Sequence, residues 1–231
     1  MSSEQGNGPS PEVMEAMCDL AGHLSHDLNN FMTPILACGQ MLKDGLEADH
    51  PLYFCGEQIV QAGEECFELS KKLQAMGSRR LGTELLDFNA LVNIALQTVA
   101  QGADFKPVVR TQLHPEPVVV AGDRTQFQAM VDEFLRNASF AMKDGGEILI
   151  ATSVEGDRAL LRVKDQGVGM TEEVQAQMYK PYFTTHRGSH CRGVGLTMIY
   201  GLVKRYQGEI TCKSRPGEGA EFAVSLPRAS T

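Results

Sequence analysis

Apolar residues recur along the first third of the chain at alternating steps of three and four. Met14, Met17, Ala21, Leu24, Leu28, Phe31, Ile35, Cys38 and Leu42 keep that spacing without a slip, which is the a/d seam of one long amphipathic helix. Ser10 and Pro11 mark its start, a capping serine followed by proline at the first helical position. The helix should run to about residue 43, where Asp44-Gly45 and then Asp49-His50-Pro51 signal a turn. A second seam follows at the same steps: Leu52, Cys55, Ile59, Ala62, Cys66, Leu69, Leu73 and Met76. Two helices of about 30 residues, ~45 Å each, therefore form an antiparallel hairpin. Two helices alone cannot enclose seams of that length. Two hairpins paired in a four-helix bundle can, so a homodimer is expected; the alternative is a monomer whose hairpin packs on its own C-terminal domain.

Beyond a short linker at 77–82 the period changes. Strands are predicted over 84–88, 106–113 and 117–121, a helix over 90–100, and a longer helix from the capping Asp123 to about residue 143. Residues 146–154 and 158–164 read as paired strands around Glu155-Gly156-Asp157. A short helix over 171–178, a loop over 180–192 and a helix over 194–206 come next, and 209–213 with 220–226 form a closing hairpin. Strands paired in sequence, with helices grouped between them, predict an α+β sandwich with its helices on one face. The expected organisation is a polar Gly/Ser/Pro tail over 1–11, a helical hairpin over 12–80 and an α+β domain over 83–231.

Charge narrows the function. The formal net charge of -8 argues against a nucleic-acid or anionic-membrane binder. The acid sits in the hairpin: residues 12–80 carry 11 Asp+Glu against 5 Lys+Arg, net -6, whereas 81–231 carry 17 against 16, net -1, and Glu4 supplies the rest. No apolar run reaches the roughly 18 residues of a membrane span, and no secretory signal pattern is present. The six cysteines form no CxxC pair. Cys38, Cys55 and Cys66 occupy seam positions and read as reduced core thiols of a cytosolic protein. No metal-ligand spacing is visible.

Candidate chemistry begins at Leu24-Ser-His-Asp-Leu-Asn-Asn30. On the heptad register His26 falls at f, outside the seam, and Asp27 at g. Asp27 and Asn30 lie on the same flank within one turn. Pro34 removes the backbone bond to the Asn30 carbonyl and predicts a kink just past His26. Three later stretches matter. Glu133 and Asn137 are i and i+4, on one face of the long helix. Asp165-Gln166-Gly167-Val168-Gly169 follows a strand; its glycines allow a tight turn close to a ligand, and Asp165 can accept a hydrogen bond from an exocyclic amine. Arg192-Gly193-Val194-Gly195-Leu196 opens a helix, whose N–H groups and positive dipole end suit phosphate. Singly these are common local patterns; their order and spacing carry the reading.

His26-Asp27-Leu28-Asn29-Asn30, followed by Thr33-Pro34-Ile35, resembles the phospho-acceptor box of bacterial two-component sensor histidine kinases. It is closest to the His-Asp-x-Asn-Asn variety of nitrogen-regulator-like and hybrid kinases. The later stretches resemble the N, G1 and G2 boxes of the Bergerat-type ATPase fold shared by histidine kinases, DNA gyrase and MutL. Tyr179-Lys180-Pro181-Tyr182-Phe183-Thr184-Thr185 resembles its F box. The resemblance covers about residues 12–227. It implies a dimerisation and histidine-phosphotransfer hairpin followed by an α/β sandwich that binds ATP and Mg²⁺. It further implies that Asn137 holds the Mg²⁺ against the phosphates, with Glu133 supporting the metal shell through water, and that Asp165 reads the adenine amine. Gly167, Gly169, Thr184, Thr185, Arg192, Gly193, Val194, Gly195 and Leu196 would line the nucleotide, with 180–192 as the lid.

The function so implied is a bacterial cytoplasmic histidine kinase. ATP phosphorylates His26, with Asp27 accepting or orienting the ring proton, and the phosphoryl group passes to an aspartate of a response-regulator receiver. Asn30 would position water for the reverse, phosphatase, activity. The alternatives are a phosphotransfer protein with a degenerate ATPase-like domain and a non-catalytic ATP-sensing dimeric scaffold. The chain departs from the family at Cys191, where the G2 box usually begins with a further glycine, and at His186, where a lysine often follows the two threonines. Ser189 and His190 stand in a loop with fewer glycines than usual.

Overall fold

The computed structural model describes residues 11–77, 81–101, 107–142, 145–185 and 193–229; Ser10, Arg192 and positions 186–191 of the expected lid lie outside the described residues. The described residues divide into two compact units, the helical pair up to residue 77 and the remainder from residue 81.

The first unit is α1 (Pro11–Gly45) and α2 (Tyr53–Gly77). Pro34 stands inside α1 without ending it. Nearby, the Thr33 hydroxyl donates to the Asn29 carbonyl at 2.8 Å. The face that α1 and α2 share is offset from the predicted seams, with Ala21 and Ile59 common to both, and is rich in small residues. Ala21, Ser25 and Ser70 are buried. A Cβ added at Gly39 would lie 2.7 Å from the Ile59 Cγ2, and one at Gly56 would lie 3.1 Å from the Gly39 carbonyl. Gly63 leaves room for Leu36 in the same way. Glycine at these positions lets the two backbones approach closely.

Most of the other seam residues take a different place. Leu24, Phe31 and Ile35 on α1 and Leu52 on α2 are exposed, Phe31 to 68%. Leu28, Leu42, Ile59, Leu69 and Leu73 are half-buried. Cys38 and Cys55 are free thiols and exposed, and Cys66 is half-buried. The expectation that these thiols sit in a core is therefore corrected for the single chain. Two packed helices cover only the facing strip of each, and the cysteines lie outside that strip.

The second unit contains β1 (Glu84–Asp87), α3 (Phe88–Gln101), β2 (Val108–Gln112), β3 (Val119–Gly122), α4 (Arg124–Ala141), β4 (Glu147–Glu155), β5 (Arg158–Asp165), α5 (Glu172–Gln175), α6 (Gly195–Arg205), β6 (Glu209–Ser214) and β7 (Ala220–Pro227). Five strands form a mixed sheet in the order β2-β4-β5-β7-β6, with β2 parallel to β4 and the other pairs antiparallel. β1 and β3 form a separate antiparallel pair. The neighbours β4/β5 and β6/β7 pair as expected, but β2 and β3 do not pair with each other. Successive Val119 and Val120 are both buried, so β3 is covered on both faces, while β2 is an exposed edge.

Alternation builds the core. β4 turns Ile148 and Ile150 inward, β5 Leu161 and Val163, and β7 Phe222, Val224 and Leu226. The helices contribute Phe127, Met130, Phe134 and Leu135 from α4, Leu91 and Val92 from α3, and Met198, Ile199 and Leu202 from α6. Each such side chain stabilises the fold by about 1.5–3 kcal/mol when fully buried. Asp123 caps α4 by accepting from the Gln126 N–H at 3.0 Å. The helix expected over 171–178 is only four residues long. After Gln175 the Gln177 and Lys180 N–H groups bond three residues back, which tightens the chain into turns.

Candidate functional site

On α1, Ser25 faces inward and its carbonyl accepts from the buried Ser70 hydroxyl of α2 at 3.0 Å. The next residue must then face away, and His26 is 76% exposed. Its Nδ1 lies 3.3 Å from Asp27 Oδ1 and 3.3 Å from Asn30 Nδ2. The Asn30 amide N–H can donate to Nδ1 only in the tautomer without a proton there; the Asp27 carboxylate favours the tautomer with the proton on Nδ1. The Nε2 lone pair then points outward as a nucleophile. The direct contact of Asn30 with the ring is an addition to the sequence reading, which placed it one turn beyond His26. Pro34 supplies no N–H for the Asn30 carbonyl, so the backbone here is locally free of its ladder bond.

In the second unit, three separate stretches come together. Asp165, at the end of β5, is 4% exposed. Its Oδ1 accepts from the Gly167 N–H at 2.8 Å and the Ala220 N–H at 3.2 Å. Burial pushes its carboxyl above the usual carboxylate range, and the two backbone bonds pull the other way with less effect. Gly167 packs against the end of α4: a Cβ there would lie 2.6 Å from the Ala141 Cβ. Gly169 has φ +65 and its Cβ position is filled by the Arg215 carbonyl. No other residue fits there.

At the start of α6, Gly193 has φ +65 and a Cβ on it would lie 2.5 Å from the Phe183 carbonyl. Tyr182, in the same contact, also has positive φ, at 62. A Cβ on Gly195 would overlap the Glu133 carboxylate, so α4 and the α6 N-terminus touch at that point. Val194 provides no side-chain cap for α6, which leaves the helix end suited to an anion. Leu196 is half-buried, and Thr184 and Thr185 are exposed. Glu133 is buried, with its Oε2 3.1 Å from the Arg136 guanidinium. The Asn137 Nδ2 is buried with no hydrogen-bond partner among the described residues.

Residues 122–230 match the family described as Histidine kinase-, DNA gyrase B-, and HSP90-like ATPase. Along its length the chain is 29% identical to sensor kinase CckA of Brucella abortus, over 94% of this chain and 25% of that protein. It is 28% identical to sporulation kinase E of Bacillus subtilis, over 94% of this chain and 29% of that one. The chain is a relative of the two-component sensor histidine kinases. It spans about a quarter to a third of the length of these two kinases. The crystal structure of full-length ShkA in complex with AMPPNP shares its fold, with TM-score 0.75 and 18% identity over 96% of this chain and 47% of that one.

For a sensor-kinase relative, the donors suit a nucleotide with a hard cation. The Asn137 amide carries a carbonyl oxygen, a hard ligand, beside an orphaned buried N–H. Among the described residues no cluster of three or more His, Cys, Asp or Glu side chains could hold a metal alone. Sequence reasoning missed Ser70 and the 214–220 segment. Neither carries a motif of its own, since a serine on a helix or a Gly-containing hairpin turn is a common pattern. No helix among the described residues is long and apolar enough to cross a membrane.

Proposed function

We propose that the chain is an ATP-dependent protein histidine kinase of a two-component system, with His26 as its phospho-acceptor. The observation that carries this is the engaged Nδ1 of an exposed His26, in a chain that also bears a histidine kinase-like ATPase domain. ATP binds with its adenine amine on Asp165, its base and phosphates along Gly167, Gly169, Gly193 and Gly195, and its phosphate end at α6. Asn137, with Glu133 through water, would hold Mg²⁺ there, which supplies positive charge against the phosphates. The Nε2 lone pair of His26 forms the new N–P bond at the γ-phosphorus. The bond from that phosphorus to the bridging oxygen breaks, and ADP leaves with its electrons. Asp27 keeps the Nδ1 proton in place during attack and stabilises the charge that develops on the ring.

The phosphoryl group then passes to an aspartate of a response-regulator receiver docked on the acidic hairpin, and Asn30 positions water for the reverse dephosphorylation. The exposed apolar flank formed by Leu24, Phe31 and Ile35 supports a homodimer in which two hairpins make a four-helix bundle. The free thiols among the described residues, and the bacterial source of the related kinases, support a bacterial cytoplasmic location.

The test is incubation of the purified protein with γ-labelled ATP and Mg²⁺. Acid-labile, base-stable label on the wild type and none on His26→Gln is the expected result. ATP binding without label would favour a scaffold, and label arriving only from a phosphorylated receiver would favour a phosphotransfer protein.

A further inference from the structure

The loop after β5, residues 166–171, carries Gly167 and Gly169 of the candidate nucleotide site but belongs to no helix or strand. Its position depends on the bonds its backbone makes elsewhere. On one side the Val168 N–H donates to the Ala141 carbonyl at the end of α4. On the other side the contacts converge on two side chains. The Ser214 hydroxyl, at the end of β6, accepts from the Met170 N–H at 2.9 Å and donates to the Gly219 carbonyl at 2.7 Å. The Gln175 amide donates to the carbonyls of Met170 at 3.2 Å and Ser214 at 3.1 Å. The turn between β6 and β7 adds a bond from the Gly217 N–H to the Val168 carbonyl at 2.8 Å.

These bonds close a ring. Asp165 Oδ1 joins the loop, through Gly167, to the start of β7, through Ala220. At the opposite end Ser214 joins the loop, through Met170, to Gly219, the residue before Ala220. Gln175 braces that second junction from α5. Within the ring, Gly169 and Gly219 press their bare Cα atoms against the Arg215 and Asp165 carbonyls. The junction at Asp165 cannot shift without the one at Ser214, because both span the same two segments. A carboxylate that must meet an amine within hydrogen-bond distance is sensitive to such a shift.

We propose that Ser214 and Gln175 are positioning residues that fix the 166–171 loop around Asp165 and thereby set the preference of the site for adenine over guanine nucleotides. This rests on the reading of the site as an ATP site. Neither side chain touches the nucleotide in this scheme; both act through the ring.

Titration calorimetry with ATP and with GTP, each with Mg²⁺, on the full chain tests it, with thermal melting alongside. Ser214→Ala and Gln175→Leu should each weaken ATP binding about tenfold while GTP binding changes little, so that the ratio of affinities moves toward one. Ser214→Thr keeps the hydroxyl and should restore the wild-type ratio. Wild-type selectivity in both Ser214→Ala and Gln175→Leu would overturn the proposal, as would an equal loss of ATP and GTP binding tracking a lowered melting temperature. Should Ser214→Ala fail to fold, Gln175→Leu decides by the same criteria. A wild-type chain that binds neither nucleotide would overturn the ATP-site reading itself, and the positioning role with it.

Discussion

Replacing Asp165 by asparagine separates what this side chain does for the fold from what it does for a ligand. The carboxyl is almost fully buried, and burial raises its pKa above the ordinary 3.8 despite the bonds from the Gly167 and Ala220 N–H groups. A group whose folded pKa is raised contributes its full stability below the unfolded value and loses it as pH rises through the folded value. At neutral pH the charge is therefore a cost to the fold. Asparagine keeps a neutral oxygen for the same two backbone donors and has no charge to desolvate. Asp165→Asn should melt at or above wild type at pH 7, with about 2–4 °C of shift for each kcal/mol gained. The gap should narrow as pH falls toward 3.8 and the wild-type carboxyl takes up its proton. Binding moves the other way. The variant presents an N–H group to the adenine amine in place of an acceptor and loses a hydrogen bond to a charged group, worth about 1.5–3 kcal/mol. ATP affinity should fall about 10- to 150-fold. Thermal melts between pH 4 and 8 and calorimetric titration with ATP measure both. A variant that melts below wild type at pH 7, or an advantage that grows as pH falls, would refute the balance of burial over hydrogen bonding. Unchanged ATP affinity would refute the adenine contact.

Other outcomes follow from packing. Phe31→Asp leaves the exposed residue of a single hairpin exposed, so helicity by circular dichroism should hold. In a four-helix bundle it would bury an unpaired carboxylate at a cost of several kcal/mol per ion, and light scattering should show a monomer; a dimer mass would contradict the bundle. Gly195→Ala drives a methyl group into the Glu133 carboxylate and should cost at least tenfold in ATP affinity by calorimetry. Asn30→Ala should retain most of the labelling of His26 but abolish the acceleration of phospho-receiver decay. Equal decay with wild type and variant would remove that role.

Much of the fold was legible because its signals are local. Asp123 announces α4 through its cap, Glu155-Gly156-Asp157 announces the β4–β5 hairpin, and alternation marks β4, β5 and β7. What was not legible is non-local. The parallel pairing of β2 with β4 depends on which strand β3 chooses, and no local pattern specifies that. In the site, Asp165, Gly167, Gly169 and Gly195 were visible as motif positions. Ser214 and Gln175 were not, because their significance lies in the backbone groups they meet far along the chain, the Met170 N–H for Ser214 at a separation of 44 residues and the Ser214 carbonyl for Gln175 at 39. The contact of Asn30 with His26 was within reach of helical spacing, since i and i+4 are neighbours on a helix.

The hairpin shows how a seam read from apolar spacing can differ from the contact that two helices make within one chain. An α-helix offers about three faces to its surroundings. On α1 one face, with Ala21, Ser25 and Gly39, is taken by α2 through small residues. A second, with Leu24, Phe31 and Ile35, carries the apolar spacing that the eye reads first, yet these side chains stay exposed among the described residues. Apolar spacing marks the amphipathic face of a helix, whereas glycine and serine mark where two backbones come closest. The third face holds His26, Asp27 and Asn30. His26 is held outward by the Ser25–Ser70 contact one position earlier, since a helix turns about 100° per residue. The register that buries Ser25 is thus the same register that presents the Nε2 atom, and the packing of the hairpin is inseparable from the exposure of its histidine.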